Sequence, residues 1–414
     1  LDALLQKAAE SVYAKTQPYR YAIYLGEKNR QPESFAVLKD LAATAPAREQ
    51  AWADLDWGME TFFDGKHWKE GHTLVETAVA RDPDNADTFN TLATLDGALD
   101  REEAQLGAAR RALRLFDRSR NDINAGPAET SKLLLGTEVG ELTGDFRAAL
   151  DLNARMAQRP DFGDSVATAV NDEIYDLGAL HDVAGEDAQE RKAAEFARGN
   201  AAHTIELDIS EAQARFPLED WRGVLSAWQT FDKARAVSED AADFQVVTDR
   251  TLTAVHAMAL AGVGDFVSAE RTIRPTPGDC DTCLLVRARI AAAQRQWARA
   301  DYWFAREAAQ APSLPGPDLA WGRALLAKGD VGGAVEKFKA AHAKGPRWAD
   351  PLEYWGEALI AQNRSDLALA KFEEAAKYAP DWGRLHRQWG LALSYLGRKD
   401  EAQKQFALAR SFDG

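Results

Sequence analysis

Cys280 and Cys283 are the two cysteines of the chain, set in PTPGDCDTCLLVRARI, and they carry its most reactive chemistry. The Pro/Gly run marks a turn, and Cys283 falls in the first turn of the following helix, where the dipole lowers a thiol's pKa. A thioredoxin-type centre needs a strand–helix–strand setting that the flanking sequence lacks. Tetrahedral zinc needs two further Cys or His ligands, which no nearby motif supplies. A short-loop disulfide or two ordinary turn thiols are therefore the leading readings, with redox sensing behind them and metal last.

Residues 160–190 hold nine carboxylates (Asp161, Asp164, Asp172, Glu173, Asp176, Asp182, Glu186, Asp187, Glu190) and no Lys or Arg. A solvated helix face and loop is the first expectation, ahead of a docking patch for a basic partner. Asp172, Asp176 and His181 have helical spacing but match no ligand pattern, so no metal site is expected. The seven histidines are scattered, and His67 and His72 stand off the spacing of one helix face. There is no phosphate loop, HExxH or GxSxG, and GVGDFV near Gly262 lacks the third glycine of a dinucleotide fingerprint. Neither catalysis nor a cofactor is expected.

The elements behind these residues are periodic. WGRALLAKGD from Trp321, WGEALIAQNR from Trp355 and WGLALSYLGR from Trp389 recur at a spacing of 34, the signature of stacked helix pairs. Gly322, Gly356 and Gly390 recur, followed by Ala334, Ala368 and Ala402, then by Phe338, Phe372 and Phe406. A glycine inside a helix costs about 1 kcal/mol against alanine, so close approach of two axes is its reason. The phenylalanine, one turn beyond the alanine, fills the gap between helices. Pro346 and Pro380 end the second helix, and Gly329 or Gly397 permits the reversal. Ala288, Ala300, Phe304 and Pro312 extend the register one unit upstream. Trp321, Trp355, Trp389, Trp348 and Trp382 fall at repeated places and read as structural.

This stretch, 285–414, resembles the tetratricopeptide repeat, whose units are also 34 residues long and carry these small, aromatic and proline positions. The resemblance implies an all-α, right-handed superhelical solenoid of antiparallel helix pairs. Upstream the register survives in pieces: Trp57-Gly58 with Gly71, Val75, Ala78 and Pro83, then TGDFRAAL from Thr143 and VGDFVSAE from Val263. The expected organisation is degenerate helix pairs over 1–160, an irregular acidic helical segment over 161–210, further degenerate pairs over 211–284 and four regular units over 285–414. One continuous elongated domain joins them, because a solenoid grows by addition.

In the resembled family the first helices of each pair line a groove that holds peptides or proteins. The corresponding places here are Leu285, Arg289, Leu319, Arg323, Glu353, Glu357, Arg384, Arg387 and Tyr395. They lack the asparagine of the carboxylate-clamp members, so an acidic C-terminal tail is not the expected partner. The expected function is a non-catalytic scaffold that binds a protein or peptide in its groove. The second expectation comes from the start at Leu1 rather than Met and from the style of QPYRYAIYL, which loosely resembles bacterial multidomain signalling proteins. It is a sensing or oligomerising portion whose effector precedes Leu1, and an enzyme is the last alternative.

The net charge of −15 argues against a nucleic-acid partner, since a phosphate chain demands a basic face. No apolar run of about 18 residues could span a bilayer, and LDALLQKAAE lacks the features of a signal peptide. A soluble chain is expected, with a cytoplasmic setting favoured over a periplasmic one. Leu408 and Phe412 on the last helix are expected to be covered by a neighbouring chain or by further C-terminal residues, a route to self-association.

Overall fold

The computed structural model describes residues 2–64, 66–118, 125–159, 165–236, 238 and 244–412. Asp161 and Asp164 of the acidic run lie outside them. Among the described residues the secondary structure is helical throughout. The N-terminal portion contains α1 (Asp2–Thr16), α2 (Pro18–Glu27), α3 (Gln31–Thr44), α4 (Ala47–Phe63), α5 (Trp68–Arg81), α6 (Ala86–Ala98) and α7 (Glu102–Arg118). The middle contains α8 (Ala125–Thr143), α9 (Phe146–Ala157), α10 (Ser165–Ala179), α11 (Val183–Ala197), α12 (Ala201–Arg215) and α13 (Trp221–Arg235). Then α14 (Gln245–Val247) runs through a π-helical turn, Thr248–Leu252, into α15 (Thr253–Gly262), which is followed by α16 (Phe266–Ile273). The regular units are α17 (Asp281–Ala293) with α18 (Trp297–Gln310), α19 (Gly316–Lys328) with α20 (Val331–Lys344), α21 (Ala349–Ala361) with α22 (Ser365–Ala375), and α23 (Gly383–Tyr395) with α24 (Lys399–Phe412).

Each repeated residue has a visible cause. A methyl group on Gly322, Gly356 or Gly390 would meet the ring of Phe338, Phe372 or Phe406 at 2.6, 2.4 and 2.6 Å respectively, so the phenylalanine of each unit sits in the notch its own glycine leaves. Phe338 and Phe372 are fully buried there. The corner of each regular unit is a left-handed residue at the same register: Arg295 (φ 58°), Gly329 (φ 89°), Asn363 (φ 59°) and Gly397 (φ 76°). The same corner recurs upstream at Asp100, Gly144, His181, Glu219 and Gly264, where the sequence register is broken. Only some of these are glycines, because asparagine, aspartate and histidine tolerate this region of φ better than most residues. After several of these corners an aspartate caps the second helix, as Asp182, Asp220, Asp265 and Asp330 accept from the backbone N–H three residues on.

The solenoid does not stay open. Its N-terminal corners dock onto the loops that precede the C-terminal units. At the corner of α6 and α7, the Asp100 carbonyl accepts from the Asp281 N–H at 2.9 Å and Asp281 accepts from the Glu102 N–H at 2.8 Å. At the corner of α8 and α9, Trp348 covers Gly144 and meets Phe146 edge-on at 5.9 Å. Arg347 pairs there with Asp145 at 2.7 Å, and Arg147 donates to the Tyr378 carbonyl at 2.6 Å. At the corner of α10 and α11, His181 stacks on Trp382 and reaches Asp350 at 3.0 Å. These contacts draw the middle units onto the C-terminal ones around a central chamber that stays open to solvent on one side.

Candidate functional site

The chamber is a cavity of about 1990 Å³ walled by residues from α6–α13, α15, α17–α19, α21 and α23 together with their corners. Six of the nine residues expected in the groove stand on this wall: Leu285, Arg289, Leu319, Arg323, Glu357 and Arg384. Glu353 is fully buried behind it and lies 3.1 Å from Arg384. Arg387 and Tyr395 lie outside the wall, and Tyr395 is 69% exposed. Tyr395 shares a helix face with Arg384, but eleven residues carry it about 16 Å along the axis at 1.5 Å per residue, past the rim.

The arginines of the wall are already engaged. Glu219, at the left-handed corner before α13, accepts from Arg289 at 3.0 Å and from Arg323. Burial opposes the ionisation of Glu219, but Arg323 and Arg289 outweigh it and hold its pKa below the usual carboxylate value. Arg289 also lies over the rings of Phe216 and Trp221, at 4.9 and 5.4 Å. Burial and the neighbouring Arg323 push its pKa down to about 10. Arg384 pairs with Glu357 and faces Tyr354 at 4.8 Å. Burial raises Glu353 to about 8 in spite of Arg384.

Another part of the wall is acidic, and among the described residues its carboxylates form no ion pair, though Arg250 lies within the field of Asp100 and Arg289 within that of Glu307. Asp100, Glu102, Asp281 and Glu307 form one group. Burial and mutual repulsion lift Glu102 and Glu307 well above the carboxylate range and Asp281 to about 7. Glu138 and Glu141 of α8 form a second group with Asp172 of α10; burial raises Glu138 and Asp172 to about 7 and Glu141 further. Tyr175 on α10 lies within the field of both Glu141 and Glu102 and joins the groups. Among the described residues, one oxygen of each of Glu138, Glu141 and Glu307 has no hydrogen-bond partner.

This corrects the reading of 160–190 as a solvated face. Glu173, Asp176 and Glu186 are buried, and Asp172, Glu186 and Asp187 line the chamber. The polar stripe of α10 faces inward because the solenoid curls around it. Asp172, Asp176 and His181 do not converge: Asp176 accepts from Asn153 at 3.0 Å, whereas His181 turns to Asp350 and Trp382.

Cys280 and Cys283 are joined as a disulfide, fully buried at the N-terminus of α17. The Cys280 sulfur accepts from the Cys283 N–H at 3.2 Å, serving as the cap of that helix, and lies 3.3 Å from the Asp100 carboxylate. Of the two C-terminal apolar residues, Phe412 packs on His386 at 5.5 Å within its own chain, while Leu408 is 39% exposed. The cover expected for Phe412 from another chain is thus supplied partly from within. The seam residues Trp348, Trp382 and His181 were not singled out as docking groups by the sequence, because their partners belong to distant units.

No family description and no curated protein matches the sequence. Solved structures do match the fold. The Cut9 structure from the APC/C hetero-tetramer Cut9-Hcn1 aligns over 98% of this chain and 84% of its own, with 12% identity and a TM-score of 0.50. Yeast Tom70 aligns over 99% and 92%, with 12% identity and a TM-score of 0.47. MamA from AMB-1 covers 40% of this chain and 98% of its own, with 19% identity and a TM-score of 0.30. The likeness to Cut9 shows the fold alone: the chain is an all-α solenoid of antiparallel helix pairs of the tetratricopeptide-repeat type. Among the described residues, no helix is long and apolar enough to cross a membrane.

Proposed function

We propose that this chain is a non-catalytic scaffold that holds a segment of a partner protein inside its central chamber. The observation that carries the reading is the chamber itself. At about 1990 Å³ it exceeds the roughly 300–1,000 Å³ typical of small-molecule sites, and its wall mixes apolar places with fixed charges. Leu285 and Leu319 offer apolar contact, while Arg289, Arg323, Glu357 and Arg384 set polarity and register. The fold likeness to Cut9, solved in a hetero-tetramer with Hcn1, agrees with a role in holding other chains.

Ala327 is an exposed alanine on the chamber wall, so Ala327→Trp obstructs the space with little cost to the core. A pooled peptide library of mixed composition, retained on the immobilised full chain and identified by mass spectrometry, tests the proposal. The wild type should retain a defined subset and Ala327→Trp should lose it. Equal retention by both would place binding elsewhere.

A further inference from the structure

The wall is unevenly neutralised. Its arginines each hold a carboxylate: Arg289 and Arg323 share Glu219, Arg384 takes Glu357, and Arg215 takes Glu190 at 2.6 Å. Among the described residues the groups around Glu307 and Glu141 form no such ion pair, although Arg289 lies within the field of Glu307. Glu307 is 3% exposed, lines the chamber and leaves one oxygen without a hydrogen bond. Glu186, also 3% exposed and on the wall, does the same. A buried carboxylate oxygen without a donor costs about 1–3 kcal/mol, and among the described residues Glu307 and Glu186 each leave one such oxygen at the chamber wall.

That donor has a definable chemistry. Among the described residues no set of three or more His, Cys, Asp or Glu is arranged to hold a metal ion, so the carboxylates are spread along a wall rather than gathered on a point. Groups spread in this way suit several N–H donors on an extended molecule. The carboxylates fall into two sets, Glu102 with Glu307 and Glu138 with Glu141, and Tyr175 lies within the field of both. The chamber volume favours a peptide over a small amine.

Resting on the chamber reading above, we propose that the bound segment is basic, its lysine or arginine side chains seating their ammonium or guanidinium groups on Glu307 with Glu102 and on Glu141 with Glu138. The paired arginines of the wall keep their glutamates. A charge-assisted hydrogen bond to each set supplies the missing donors. The high pKa values of these acids fit a site that awaits a cation, since burial and repulsion disfavour their ionisation until one arrives.

The test uses the full chain and three short fluorescent peptides of one alanine-rich sequence, with its charged positions as lysine, glutamine or glutamate. Anisotropy should show the lysine peptide binding at least tenfold tighter than the glutamine form, and the glutamate form not binding. Glu307→Gln and Glu141→Gln should each weaken the lysine peptide about tenfold. Glu401→Gln, on the exposed face of α24, should leave it unchanged. Thermal melts of each variant establish that it is folded, and the two substitutions lie in different helices, so one misfolded variant leaves the other informative. Competition by spermidine at equal molar potency would overturn the peptide assignment in favour of a free polyamine. Tighter binding of the glutamate peptide, or no loss in either glutamine variant, would overturn the charge assignment. If all three peptides bind alike and Ala327→Trp blocks them, the chamber reading stands and this one falls; if none binds, both fall.

Discussion

The ring of His181 lies flat against Trp382, centroids 3.7 Å apart and planes within 7°, although one residue sits at the corner of α10 and α11 and the other before α23. The contact is one rivet of a seam that converts an open superhelix into a chamber. Trp382 is 6% exposed, and truncating a buried aromatic costs about 3–5 kcal/mol. Because the seam joins elements that also pack locally, Trp382→Ala should open the superhelix rather than unfold it. Small-angle scattering should show a larger radius of gyration, with helicity by circular dichroism nearly unchanged and a lower melting temperature. An unchanged radius would mean that the remaining seam contacts suffice.

Gly356 and Gly107 make opposite predictions from one substitution. A methyl on Gly356 would meet Phe372 at 2.4 Å, whereas one on Gly107, inside α7, would meet nothing within 4 Å. Alanine gains up to about 1 kcal/mol of helix propensity at either place. At Gly356 overpacking of about 1–3 kcal/mol outweighs it, so Gly356→Ala should destabilise and Gly107→Ala should stabilise. Chemical denaturation of the two variants checks the sign of each.

The same pair of effects explains what could be read from the sequence. Gly356 and Phe372 satisfy one another within a unit, so the requirement repeats at a fixed interval and is visible. The corner at Arg295 holds the register of Gly329 and Gly397, but its backbone geometry leaves no trace in residue type. The seam is less legible still: Gly144 meets Trp348, and Asp100 meets Asp281, through contacts that occur once and join distant units. The acidic stripe of α10 has the pattern of a solvated face, and only closure of the superhelix turns it inward. Six of the nine positions named from the repeat line the chamber, whereas Glu138, Glu141 and Asp172 come from units whose register is degenerate, and Glu307 stands on the second helix of a regular unit, outside the first-helix places from which the groove was drawn.

Those inward carboxylates set the pH dependence of stability. Glu138 and Asp172 are raised to about 7 and Glu353 to about 8, above their unfolded values near 4. Between the unfolded and folded pKa the native state binds more protons than the unfolded chain, so stability falls as pH rises through that window. Glu219 and Asp318 act oppositely: burial opposes their ionisation, but Arg323 with Arg289, and Lys337 with Lys344, lower both pKa values. Their contribution is present above the unfolded pKa and is lost as pH falls toward the folded value. The melting temperature should therefore peak near pH 5 and decline toward pH 8. Glu353→Gln, which cannot ionise, should flatten the decline, and a melting profile that rises from pH 5 to pH 8 would contradict the assignment.

Arg250 offers the sharpest test of the seam's chemistry. It is 4% exposed within the π-helical turn before α15, donates from Nε to the Leu99 carbonyl at 2.6 Å and pairs through Nη2 with Asp279 at 2.6 Å. Asp279 in turn holds Arg101 at 2.7 Å, so one guanidinium links the end of α6, the loop before α17 and the π turn. A lysine carries the same charge but lacks the planar fork that meets two acceptors in fixed directions. Arg250→Lys should thus lose nearly as much stability as Arg250→Met, about 1–3 kcal/mol, chiefly by leaving the carbonyl of buried Leu99 without its donor, since Asp279 is half exposed and keeps Arg101. Charge alone would instead let lysine retain most of the wild-type stability, and paired denaturation curves of the two variants decide between them.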